Sequence, residues 1–174
     1  ATGRTKTAPD PEQDVPVRFA VASCQDYVGR WYHSWQRVLD EPDIDFVLFL
    51  GDYIYETVAD PRHQVPQAER LLTLPDGAQL SEEQGDLKAV TLADYRALYK
   101  QYKTDPDLIE VHRWYPFVTI WDDHEFANDC WQDHATDTNE AWGSEQETER
   151  RQAASQAWFE FTPIDVSYDR ERAF

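Results

Sequence analysis

Asp45-Phe46-Val47-Leu48-Phe49-Leu50-Gly51-Asp52-Tyr53-Ile54-Tyr55-Glu56 is the stretch that decides how this chain folds. From Phe46 to Leu50 every residue is apolar, the pattern of a strand buried on both faces of a parallel sheet. Gly51 then lets the backbone turn sharply, so that Asp52 can point back over the sheet edge. Two further segments have the same design. Val15-Pro16-Val17-Arg18-Phe19-Ala20-Val21-Ala22-Ser23-Cys24 predicts a strand that finishes on a thiol. Pro116-Phe117-Val118-Thr119-Ile120-Trp121 predicts one that finishes on Asp122-Asp123-His124-Glu125.

Between the first two strands, residues 29–40 carry Trp31, Trp35 and Leu39 at helical spacing. Strand, helix, strand in that order implies parallel pairing through a right-handed crossover. The fold class is therefore α/β, mostly parallel strands with flanking helices. Residues 1–15 lack periodicity and read as a linker or lead-in, and residues 57–90, rich in Pro, Gln, Glu and Asp, as an irregular surface excursion. Thr91 and Asp94 have capping-box spacing ahead of a helix bearing Tyr95, Leu98, Tyr99 and Tyr102 on one face. Asp105-Pro106 starts a shorter helix carrying Leu108, Ile109 and His112. Ser144 with Glu147 is expected to open a last amphipathic helix with Ala153, Ala154, Ala157, Trp158 and Phe161.

The 174 residues, 41% hydrophobic and 14% aromatic, suffice for one globular core. A net charge of −18 argues against a nucleic-acid binder, which needs clustered Lys and Arg. An anionic substrate would require local positive charge, which bound cations can supply. Nothing approaches the roughly 18 apolar residues of a membrane span.

In open α/β sheets, ligands gather at the carboxyl ends of the strands, where Cys24, Asp52 and Asp123 all fall, with Tyr55 three residues beyond Asp52. Thiolate, carboxylate and phenolate are anionic as ligands, a set that suits a trivalent cation such as ferric iron better than zinc. Two carboxylates and an imidazole at a buried strand end are costly to desolvate unless a cation or hydrogen bonds compensate. Each residue also has a plainer reading. Cys24 alone is a buried structural thiol or the disulfide partner of Cys130; Tyr55 alone is a rim aromatic; Asp122 to Glu125 alone is a solvated acidic turn. His33, His63, His112 and His134 read as surface or packing residues.

Ser23-Cys24-Gln25-Asp26-Tyr27, Leu50 to Glu56, Tyr95-Arg96 through Tyr102-Lys103-Thr104-Asp105, and Trp121 to Asp129 together resemble the PhoD-like alkaline phosphatase and phosphodiesterase family, within the calcineurin-like metallophosphoesterases. The resemblance implies a four-layer sandwich, of which residues 16–174 would be the N-terminal half of the catalytic domain. It also implies a ferric ion plus calcium, and hydrolysis of phosphodiesters and phosphomonoesters by a metal-activated hydroxide. The implied location is secreted, periplasmic or extracellular, after export by the twin-arginine route. Carried over to this chain, Cys24 and Tyr55 would bind iron, Asp52 would bridge the two cations, and Asp123 would serve the second. His124 would meet the phosphoryl oxygens, with Asn128 and Asp122 further out. A missing C-terminal half or second polypeptide would supply the remaining ligands. A phospholipase D-type diesterase on the same scaffold and a non-catalytic calcium-binding fragment are the alternatives; a glycosidase explains neither Cys24 nor Tyr55.

Overall fold

The computed structural model describes residues 2–81, 85–137 and 145–164. Its centre is a parallel sheet in the order β1 (Phe19–Ala22), β2 (Phe46–Leu50), β6 (Phe117–Ile120). Phe19 sits opposite Phe46, and Val47 opposite Phe117, so the three strands run in register toward one common edge. Helices α1 (Ser34–Asp40) and α3 (Pro106–Trp114) cover one face, where Trp35 and His112 pack against Phe117, and Trp35 also meets Phe49. Helix α2 (Leu92–Tyr102) buries Tyr95, Leu98, Tyr99 and Tyr102, and Tyr99 stacks on Phe161 of α4 (Thr148–Phe161).

The other face of the sheet is apolar, and among the described residues nothing covers it. Phe19 (48%), Val21 (57%), Val118 (52%) and Ile120 (55%) are about half exposed, although a parallel sheet is normally covered on both sides.

The caps follow from local chemistry. Thr91 Oγ1 accepts the Asp94 backbone N–H while an Asp94 carboxylate oxygen accepts that of Thr91, which is the expected capping box. Asp105 accepts the N–H groups of Asp107 and Leu108 at the start of α3, with Pro106 in the first turn.

Several expected elements are shorter. The first helix begins at Ser34 rather than Gly29, because Gly29 has φ +67° and an added Cβ would lie 1.9 Å from the Val65 carbonyl oxygen. Arg70 also takes the Arg30 carbonyl out of any helix. The first strand begins at Phe19, since the Arg18 N–H is held by the Asp45 side chain. The last helix starts at Thr148; Glu147 does not cap it but pairs with Arg150 and Lys88, and Ser144 lies outside the described residues. Within the excursion, β3 (Thr57–Val58), β4 (Ala78–Gln79) and β5 (Leu87–Lys88) form a small antiparallel sheet in the order β3, β5, β4. A further pair, β7 (His134–Ala135) and β8 (Glu145–Gln146), precedes α4.

One buried ion pair anchors the excursion to the helices. Arg70 Nη1 meets Asp105 Oδ2 at 2.8 Å, both side chains 3% exposed, and the guanidinium lies 3.6 Å from the Tyr27 ring centroid.

Candidate metal centre and active site

The loops that follow β1, β2 and β6 are pressed together at the carboxyl edge of the sheet. Backbone N–H groups of Cys24 and Gln25 donate to the carbonyls of Gly51 and Asp52 at 3.2 and 3.1 Å. Gly51, at φ +92°, leaves no room for a side chain: a Cβ would lie 2.5 Å from both Cβ and N of Asp122. Cys24 (φ 57°) and Asp52 (φ 56°) adopt the left-handed conformation that non-glycine residues rarely occupy outside special sites.

Glu125 ties two of these loops together. Its carboxylate accepts the backbone N–H groups of Asp52 (2.9 Å), Tyr53 (2.6 Å) and Asp122 (2.6 Å). Burial pushes its pKa up to about 7 against the pull of those hydrogen bonds.

Within this frame, ligand atoms of Asp52, Asp123 and His124 all lie within 4.8 Å of one another. Tyr55 donates its hydroxyl to Asp52 Oδ2 at 3.3 Å, and its ring centroid is 4.1 Å from that of His124. Asp52 Oδ1 is buried with no hydrogen-bond partner among the described residues, an orphan that a cation would satisfy. Burial raises the Asp52 pKa, although neighbouring His124 opposes it. Burial, followed by Asp52 and Cys24, pushes the Tyr55 phenol far above its ordinary value. Against a lowering hydrogen bond from Ser23, burial and the adjacent Asp52 raise the Cys24 thiol. The Cys24 thiol and the Tyr55 phenol resist ionising beside Asp52, so these two become anionic ligands only when a strong cation enters. Cys24 and Cys130 are both free thiols, which removes the disulfide alternative.

His124 is oriented from behind. Its Nδ1 lies 2.7 Å from Oε2 of the fully buried Glu56, whose other oxygen accepts the Asn128 N–H at 2.7 Å. Burial opposes a charged imidazole, but Glu56, with Asp52 and Asp123, raises the pKa to about 9. Asp123 accepts the backbone N–H of Asp129, which fixes its carboxylate. Asn128 borders the site, whereas Asp122 is largely exposed and contributes its backbone to Glu125.

A cavity of about 780 Å³ opens over the centre, lined by Cys24, Tyr55, His124, Asn128, Arg30 and His63 among others. His63, expected to be a surface or packing residue, has its ring centroid 6.3 Å from that of His124. Neither His63 nor the supporting role of Glu56 is visible from local sequence. The one signal for Glu56 is an acid set between apolar stretches, where only a partnered carboxylate can be buried.

The PhoD-like phosphatase family matches residues 19–174. Alkaline phosphatase D of Bacillus subtilis (strain 168) is 36% identical over 167 residues, covering 95% of this chain and 26% of that protein. A solved structure described as "Structure of PhoD" superposes with a TM-score of 0.70 at 34% identity, covering 95% of this chain and 29% of that one. The chain thus spans about a quarter of the length of the curated relative it matches. On the extent of that match and the motifs that carry it, this chain belongs to the PhoD-like phosphatase family.

Proposed function

We propose that this chain forms part of a metal-dependent site that hydrolyses phosphodiesters and phosphomonoesters. The observation that carries the reading is the convergence of Asp52, Asp123 and His124, with Tyr55 bonded to Asp52 and the second Asp52 oxygen buried and unpaired. Cys24, Tyr55 and Asp52 would hold a ferric ion, and Asp123, sharing Asp52, a calcium ion. When bound, such ions supply Lewis acidity, a lowered pKa for water, and positive charge against the −18 of the chain.

The remaining work falls to side chains. Glu56 occupies Nδ1 of His124 and leaves Nε2 for the substrate. From there the imidazole donates a hydrogen bond to a phosphoryl oxygen as charge builds on it, or a proton to the departing oxygen. Glu125 holds the Asp52 and Asp122 loops at a fixed separation, so the carboxylates need no rearrangement during reaction.

The bare sheet face supports a further element of the same reading. Polypeptide beyond this segment, corresponding to the rest of the relatives' length, covers Phe19, Val21, Val118 and Ile120 and adds the outstanding ligands.

The test is hydrolysis of bis(p-nitrophenyl) phosphate, p-nitrophenyl phosphate and phosphatidylcholine by the complete polypeptide loaded with ferric and calcium ions. Turnover of the first two that falls at least 100-fold in Asp52→Asn supports the proposal. Turnover of the lipid alone, or an unaffected variant, refutes it.

A further inference from the structure

A second cavity, of about 690 Å³, lies on the helical side of the sheet, walled by residues of α2, α3, β6 and α4. Its volume falls in the range of roughly 300 to 1,000 Å³ that small-molecule sites occupy. The walls are largely apolar, with Phe117, Trp158 and Phe161 prominent, but one polar chain runs into them. Lys103 Nζ donates to Tyr53 Oη at 3.2 Å, and Tyr53 Oη lies 2.8 Å from His112 Nε2. Burial, reinforced by Lys103, lowers the His112 pKa to about 3, so its ring is neutral and Nε2 accepts from Tyr53.

That arrangement consumes one of the three ammonium donors of Lys103. No carboxylate lies within ion-pair distance of Lys103 among the described residues, and burial alone lowers its pKa to about 8. The other ions in the wall are matched: Arg113 pairs with Glu110, and Glu160 with Arg96. Tyr99 and Thr119, also in the wall, each have a hydroxyl without a partner among the described residues. Buried polar groups are ordinarily paired, and a partly buried cation facing an apolar cavity with unused donors is the complement of an anion.

We infer that this cavity binds a small monoanionic amphiphile, an organic carboxylate on an apolar body. Lys103 takes the carboxylate, with Tyr53 holding the ammonium in place, and the apolar body lies against Phe117, Trp158 and Phe161. A single unmatched positive charge favours a monoanion over a phosphate dianion, and the apolar walls favour an alkyl or aryl body over a sugar. The inference is independent of the metal centre.

The experiment is calorimetric titration of the chain with octanoate, octan-1-ol and octylammonium. Saturable octanoate binding, at least tenfold tighter than either other probe, is expected. Lys103→Met should weaken octanoate at least tenfold and abolish its preference over octanol, while Lys103→Arg should retain the preference. Equal affinity for octanoate and octanol in the unaltered chain overturns the inference. A measurement without any variant stands beside it: saturating octanoate should slow acetylation of Lys103 by acetic anhydride at least fivefold, and an unchanged rate also overturns the proposal. In the complete polypeptide, loss of octanoate binding together with carbodiimide coupling of Lys103 to a carboxylate of the additional sequence would mean that a protein side chain fills the cavity, and the proposal would fall.

Discussion

Oε2 of Glu56 lies 2.7 Å from Nδ1 of His124, although the two residues are 68 positions apart in the chain. The carboxylate is fully buried and satisfied by that imidazole and one backbone amide, so its placement depends on the whole strand-end assembly. Glu56→Gln keeps the shape and removes the charge. Hydrolysis of bis(p-nitrophenyl) phosphate should fall about 100-fold, the lower end of the roughly 10²–10⁴-fold that a positioned acid-base group contributes. Steady-state kinetics with KM and kcat separated would check this, since the loss is expected in kcat.

The same pair predicts a pH dependence of stability in the metal-free protein. The folded-state pKa of His124, about 9, lies above its ordinary 6.5, so the folded form binds the proton more tightly. The stabilisation is therefore complete below about pH 6.5 and is lost as pH rises through about 9. Urea denaturation of the parent and Glu56→Gln at several pH values should give a difference that shrinks over that interval. A difference constant from pH 6 to pH 10 would contradict it.

Gly51→Ala forces a Cβ to within 2.5 Å of Asp122 at φ +92°. Backbone strain of this kind costs about 1–3 kcal/mol, and here it also wedges apart the loops that carry Asp52 and Asp123. The variant should lose stability by about that amount and bind metal more weakly, measured by thermal melting and by calorimetry.

Tyr55 sits beside Asp52 in surroundings that keep its phenol protonated. Ferric binding should therefore release a proton and produce a visible tyrosinate-to-iron absorption band. Tyr55→Phe should bleach it. A band that survives in that variant would remove Tyr55 from the ligand set.

Asp105→Asn should destabilise the protein by about 3–5 kcal/mol, the usual result of stripping one partner from a buried ion pair. Arg70 would be left charged against Tyr27 with no carboxylate. Chemical denaturation measures the loss.

The strands and capped helices were legible because local chemistry determines them: the run from Phe46 to Leu50, the reciprocal Thr91 and Asp94 cap, and Pro106 after Asp105 need no distant partner. The expected start of the first helix at Gly29 failed because Val65 and Arg70, remote in sequence, claim that backbone. Cys24, Asp52, Tyr55, Asp123 and His124 were readable as candidates because each stands where an apolar strand or its following loop ends in a polar group. The Glu125 tie across two loops and the hold of Glu56 on His124 were not, since both bridge segments whose proximity only tertiary structure creates.

The uncovered side of the central sheet has a colloidal consequence. Produced alone, this segment is an oily plate on a body carrying −18 charges, and mutual repulsion is what keeps such plates apart. Adding salt shortens that repulsion to about 8 Å at physiological strength, so dispersion of the isolated segment should worsen as salt is raised, the reverse of ordinary salting-in.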